Sequence, residues 1–428
     1  MAVLKTAFIN STVLTGKADM EPMPGMTVIV TDGTITSIVK GGIPTADCRV
    51  IDLENRCLMP GLINLHVHLP ASGKPKKKAT DPVKLVKFLM STAPTRAMTR
   101  RLCLSYAQTQ LNSGVTTIRT VGGVGSVDTA LRDRILSGKA VGPRILAANT
   151  AVSVPGGHMA GSVACAAESL EEAVACVRRA ADEKVDLIKL MITGGVLDAK
   201  VRGEPGALKM PPEYVKACCD EAHRLGLPVA AHVESSEGVR VALAGGVDTI
   251  EHGAVLDDDT AALFLEKGSK VICTISPALP FALFSPEMMH VTEDDQYNGR
   301  VVMDGIIACA KTALEKQIPV GMGTDTGCPY ITHYDMWREV CYFRKYLGVS
   351  SAFALYTATC RNAEIAGLSD VGTVEVGKCA DLLVTDRNPL DDLTALRVPY
   401  LVMARGHLIE NPHVKKYPDV EKALDSLL

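Results

Sequence analysis

From Pro60 onward the chain alternates short apolar, β-branched runs with longer stretches of helical periodicity, and no other feature limits its fold as much. Eight runs qualify as strands: Leu62–His66, Thr116–Thr120, Arg144–Ala148, Leu187–Ile192, Val229–Val233, Thr249–His252, Val271–Ile275 and Val320–Gly323. Between them, Leu170–Asp182 and Pro212–Leu225 space their apolar residues as helices do. Ser169, ahead of Glu171 and Glu172, reads as a helix start with acids in the first turn. Parallel strands need a long crossover, usually a helix, so the pattern implies repeated βα units. Eight such units close most economically into an α/β fold, a (β/α)8 TIM-type barrel.

The flanks have a different texture. Ala7–Ile9, Ser11–Leu14, Met26–Val30, Ile35–Ile38 and Arg49–Ile51 are short β-rich runs, and Asp32-Gly33 between two of them is a hairpin signal. After a helical stretch ending near Gly367, β-rich runs return at Gly372–Gly377, Ala380–Thr385 and Leu401–Ala404. Chain termini often lie close together. Residues 1–57 and 371–428 are therefore expected to form one small composite β-sandwich domain beside a barrel of residues 58–370. A chain of 428 residues suits that division.

Composition narrows the partners. A net charge of −3 gives no electrostatic case for nucleic acid or an anionic membrane. The start of the chain lacks a basic region followed by an apolar core, and no apolar run approaches the roughly 18 residues of a membrane span. The 13 cysteines are scattered without a CxxC pair, and several, such as Cys273, sit in apolar runs; they read as reduced, inert core thiols. These features predict a cytoplasmic protein acting on a small molecule. A homo-oligomer is expected because most soluble enzymes form one. The Lys74–Lys78 run fits either a solvated loop or a loop that attracts an acidic substrate group.

Barrel enzymes place their chemistry at the C-terminal ends of the strands. The first strand ends in His66-Val67-His68, whose i, i+2 spacing points both imidazoles the same way. The fourth holds Lys189, the fifth and sixth end in His232 and His252, and Asp325 follows the eighth. Singly these are weak signals: a strand-end His is commonly just a satisfied polar group, and Asp325 alone fits a helix cap. Lys189 is the odd residue, because a buried ammonium is costly unless paired or modified. Their joint arrival at one mouth points to a metal centre.

These motifs resemble the amidohydrolase superfamily, and within it the imidazolonepropionase-related members that include Xaa-Pro and Xaa-Arg/Lys dipeptidases. The resemblance rests on Pro60–His68, Ile188–Gly195, Ala231–Glu234, Thr249–Gly253, Gly323–Gly327 and Gly372–Leu383. It implies two divalent ions, zinc first among the candidates. His66, His68 and Asp325 would hold the more buried ion and His232 and His252 the second. Lys189, as an N6-carboxylysine, would bridge them. It also implies attack of a metal-bridging hydroxide on an amide carbonyl, with Asp325 as general acid and base. His158, in the Gly-rich loop Val154–Gly161, would donate to the developing oxyanion.

The pattern departs from the dipeptidases after His232. Those enzymes commonly place a carboxylate-binding Tyr two residues on, where this chain has Glu234. Glu234 points instead to a cationic or neutral substrate, or to an Arg partner. Arg202 and His333, on loops after the fourth and eighth strands, are further substrate-binding candidates. A dipeptide or N-acyl amino acid is the expected substrate. A heterocycle deaminase, a cyclic amidase or a lactonase shares most of the ligands, though deaminase-type sites usually lack the bridging Lys. A non-enzymatic scaffold would have lost a ligand, and all six positions are filled.

Overall fold

The computed structural model describes residues 5–42, 47–75 and 81–428, so Lys76–Lys78 of the basic run lie outside the described residues. Five strands open the chain: β1 (Lys5–Val13), β2 (Met23–Thr31), β3 (Thr34–Lys40), β4 (Arg49–Asp52) and β5 (Cys57–Pro60). Then come β6 (Leu62–Val67), β7 (Val115–Thr120), β8 (Arg144–Ala147), β9 (Ala151–Ser153), β10 (Ala164–Ala166), β11 (Ile188–Met191) and β12 (Val229–Val233). They continue with β13 (Thr249–His252), β14 (Lys270–Cys273) and β15 (Val320–Met322), and the chain closes with β16 (Leu382–Thr385), β17 (Leu401–Ala404) and β18 (His407–Ile409). The eight strands expected between 62 and 323 all form, with ends within two residues of the expected bounds.

The central strands are parallel and lie in two sheets, β6-β7-β8 and β10-β9-β11-β12-β13-β14-β15. Strands β6, β7, β11, β12 and β13 are buried along their whole length, as parallel strands covered by helices on the outside must be. The helices Leu170–Asp182 and Pro212–Arg224 match the expected spans, and the Ser169 hydroxyl accepts from Glu172 N to cap the first. Strands β9 and β10 were not anticipated. The third strand breaks at Asn149, which sits at φ +55°. Its buried side chain ties the break to two neighbouring helices, accepting from Thr129 N at the start of one and donating at 2.8 Å to Glu183 Oε2 at the end of the other.

Side chains join the two sheets where ladder bonds give out. At one seam Asp186 N donates to Ala147 O and the Asp186 carboxylate accepts from Ala147 N, both at 2.8 Å, with Arg132 on the same carboxylate. At the other, Asp325 N donates to His66 O and His68 N to Thr326 O, each at 2.9 Å. The buried Asn362 amide donates there to Ile63 O and Met322 O and accepts from Met322 N. Gly323 permits the approach, since a Cβ at that position would lie 2.5 Å from His66 N.

Strands β1–β5 and β16–β18 pair into a single eight-stranded sheet, ordered β18-β17-β16-β5-β1-β2-β3 with β4 branching from β1. The long β1 hosts both β4 and β5 along one edge, and strands from the two ends of the sheet meet over one core, with Ala380 N donating to Gly33 O at 2.8 Å. The runs Ala7–Ile9 and Ser11–Leu14 are one strand, irregular at Asn10 (φ +53°). Asp32-Gly33 makes the expected hairpin turn with positive φ at both residues. Gly372–Gly377 is a turn rather than a strand, because both glycines hold positive φ while Val374 drops into the core beneath the sheet. Phe8, Val28 and Leu58 pack there with Leu382, Leu401 and Met403. No helix among the described residues is long and apolar enough to cross a membrane.

Phe8→Ala should lower stability by about 3–5 kcal/mol, because it removes a fully buried ring that both terminal segments share. Urea unfolding of the full chain measures the loss.

Candidate metal centre

Beneath the mouth lies a buried ion pair. Glu251 on β13 accepts from Arg119 on β7 at 2.6 Å, from the Thr249 hydroxyl at 2.8 Å and, through its other oxygen, from His66 Nδ1 at 2.7 Å. Arg119 also donates to Leu65 O and Thr249 Oγ1. Burial opposes the Glu251 charge, but Arg119 and His66 outweigh it and keep the carboxyl far below its usual range. Because Nδ1 of His66 is engaged, its Nε2 is the free atom. Burial pushes this imidazole down to about 4, so it is neutral at neutral pH and has a lone pair to offer.

His68 is oriented the same way, donating from Nδ1 to Gly122 O at 2.9 Å. The Nε2 atoms of His66 and His68 then converge on Asp325 Oδ1, at 3.4 and 3.2 Å. The three residues bring ligand atoms within 4.8 Å of one another. Asp325 Oδ2 faces the Cys328 thiol at 3.6 Å. Asp325 sits at φ +53° and His252 at φ +69°, a region that side chains with a Cβ disfavour. At His252 the break in alternation turns an imidazole into the mouth that would otherwise face away from Glu251.

A second group is formed by His232, Glu234 and His252, again within 4.8 Å. His232 Nε2 bonds to Gly194 O at 3.3 Å and His252 Nδ1 to Thr274 Oγ1 at 2.7 Å, leaving one free nitrogen on each ring. Burial holds both imidazoles well below their usual value. Lys189 lies between the groups, 1% exposed, and its Nζ has no hydrogen-bonding partner among the described residues. Burial lowers it to about 8. Glu234 Oε2 is equally sealed and unpartnered, and burial, then Asp325 and Asp198, push that carboxyl up to about 8. Two unpaired buried groups among four imidazoles and a carboxylate form a donor set that divalent cations satisfy.

His66, His68, Lys189, His232, Glu234, His252 and Asp325 line one cavity of about 430 Å³ whose remaining wall is largely apolar, including Met159, Met191, Leu197, Phe281 and Ile306. His158 reaches it from the loop between β9 and β10. Its ring stacks on His232 with centroids 4.1 Å apart, and Nδ1 donates to Asp198 Oδ2 at 2.5 Å. Asp198 also accepts from Gly195 N. Burial works against its charge, but His158 keeps it ionised below the usual range.

A sequence profile described as the Amidohydrolase family matches residues 57–409. The chain belongs to that family. It is a metal-dependent hydrolase acting on amide bonds. The chain is similar to a candidate prolidase from Bifidobacterium longum, with 37% identity and a TM-score of 0.87 over 100% of this chain and 99% of that one. It is also similar to a Xaa-Pro dipeptidase crystallised with methionine in its active site, at 30% identity and TM-score 0.83 over 95% and 100%. The ochratoxinase of Aspergillus niger is 24% identical across 92% of this chain and 85% of its own.

In this amidohydrolase the six expected ligand positions, His158 and Glu234 all face the cavity, whereas Arg202 and His333 do not. Arg202 pairs with Asp294 at 2.9 Å and lies over Tyr297, which holds it at the surface. His333 is buried behind the wall, bonded to Ala71 O at 2.8 Å and stacked on Tyr106. Sequence reasoning passed over Arg119, Glu251 and Asp198. The first two carried a usable signal, since a charge inside a fully covered strand raises the same burial question as Lys189. Asp198 carried none, being a loop acid 40 residues from its partner.

Glu251→Gln should cost about 3–5 kcal/mol in urea unfolding, because Arg119 keeps its charge without a counter-ion. Asp198→Ala should lower kcat about 10- to 100-fold by freeing the His158 ring, with metal content per chain unchanged by elemental analysis.

Proposed function

We propose that this amidohydrolase binds two divalent ions, zinc most readily, and hydrolyses an amide bond of a small substrate such as a dipeptide or N-acyl amino acid. The observation that carries the reading is the buried, unpartnered Lys189 Nζ between two histidine groups. A lysine lowered to about 8 presents a reactive share of free amine, and addition of CO₂ would convert it to a carboxylate-like bridging ligand. His66, His68 and Asp325 would hold one ion, and His232 and His252 the other. A mononuclear deaminase would have no use for the lysine. The reading includes closure of the two parallel sheets into one (β/α)8 barrel, supported by the hydrogen bonds at both seams. It also treats the sheet of terminal strands as a satellite domain.

Bound ions would polarise the scissile carbonyl and acidify an attacking water. Asp325 has one oxygen turned to His66 and His68 and the other toward Cys328. It takes the water's proton during attack and returns it to the leaving amine. His158, anchored by Asp198, donates to the carbonyl oxygen as negative charge develops there. Met191, Phe281 and Ile306 supply apolar contact and exclude water, and Glu234 faces the substrate or the second ion.

Elemental analysis should find about two metals per wild-type chain and clear loss in Lys189→Ala, with hydrolysis of a dipeptide and N-acyl amino acid panel lost in parallel. About one metal, retained in the variant, overturns the bridge and favours a mononuclear deaminase.

A further inference from the structure

Most of the cysteines are buried among the described residues and read as chemically quiet. One pair differs. Cys165, half-buried on β10, and Cys176, 6% exposed on the helix Leu170–Asp182, place their sulfurs 2.8 Å apart. The exposed Arg179, one turn further along that helix, sets its guanidinium 2.9 Å from Cys176 Sγ. A thiol donating to a neighbouring sulfur beside a fixed cation is the arrangement that favours a thiolate.

We propose that Cys165 and Cys176 form a reversible, peroxide-sensitive disulfide site, with Cys176 as the attacking sulfur and Cys165 as the resolving one. Bonding to Cys165, with help from Arg179, brings the Cys176 thiol down to about 7, while Cys165 is pushed far up and stays protonated. The Cys176 thiolate attacks one oxygen of hydrogen peroxide. The O–O bond breaks, giving a sulfenic acid and hydroxide. Cys165 sulfur then attacks the sulfenic sulfur; the S–S bond forms, the S–O bond breaks, and the departing hydroxide leaves with the Cys165 proton as water. Two electrons pass from the thiol pair to the peroxide, and a dithiol reverses the change by exchange.

The position gives the bond a structural effect. β10 pairs with β9, and the residues between them, 154–163, carry His158, Met159 and Val163 into the cavity. Linking β10 to the helix ties down one end of that loop. For this pair the expectation of inert core thiols is revised.

The test treats the full wild-type chain with one equivalent of hydrogen peroxide, quenches with N-ethylmaleimide in denaturant and maps peptides by mass spectrometry. A Cys165–Cys176 linked peptide should appear before any other cysteine is oxidised and vanish with dithiothreitol. Amide hydrogen exchange across 154–163 should slow in the oxidised form. Arg179→Gln, a surface change, should slow linkage about tenfold at pH 7. Cys165→Ser should instead give a dimedone-reactive Cys176. Recovery of both residues as maleimide adducts, or of Cys176 as sulfinic acid beside an alkylated Cys165, overturns the site. An unchanged rate in Arg179→Gln overturns the part given to Arg179.

Discussion

Inside the parallel strands a carboxylate and a guanidinium meet with almost no water around them, and much of the molecule is arranged about that contact. Glu251 and Arg119 reach each other from β13 and β7, and Arg119 also holds a carbonyl on β6. Each ion costs several kcal/mol to bury, so the pair adds little to net stability. What it does is fix geometry. Glu251 has one oxygen on Arg119 and the other on His66 Nδ1, so the imidazole cannot rotate and its opposite nitrogen must face Asp325. A ligand set assembled on such an anchor is oriented before any ion arrives, which is how hydrogen bonds behind the ligands raise affinity in metal sites.

The same economy governs the seams between the two parallel sheets. Where β15 meets β6 and β8 meets β11, backbone ladders are short, and an amide or a carboxylate substitutes for a missing strand residue. Asn362 satisfies two carbonyls and an N–H with one side chain, which a buried backbone requires. Irregular backbone is thereby admitted next to the mouth, where His252 and Asp325 take up left-handed φ values that regular strands exclude.

Much of this was legible in the residues. The alternation of β-branched runs and amphipathic stretches located the eight central strands, because parallel strands covered on both sides leave a strong apolar record. The metal-type residues were legible by coincidence of position: His66, His68, His232, His252 and Asp325 fall at or just beyond strand ends that share a mouth, and Lys189 lies within a neighbouring strand. What stayed hidden was direction. A loop's sequence says which end of a strand it leaves but not where its side chains turn, so Arg202 and His333 read as mouth residues although one pairs at the surface and the other lies behind the wall. Contacts between distant segments were only partly legible. Nothing near Asp198 announces His158, and the β-rich runs at both ends of the chain pointed to a shared β domain without saying that β5 would pair with β16.

That last pairing sets a timetable for synthesis. β5 finds its antiparallel neighbour β16 only after more than three hundred further residues have been made, and β1 reaches β17 and β18 only through them. Until then the apolar faces of Phe8, Val28 and Leu58 have no permanent cover, while the intervening βα units can pair locally as they emerge from the ribosome. The parallel strands that carry the metal ligands are thus free to assemble first. The terminal sheet closes last, as a clasp whose two halves are written at opposite ends of the message.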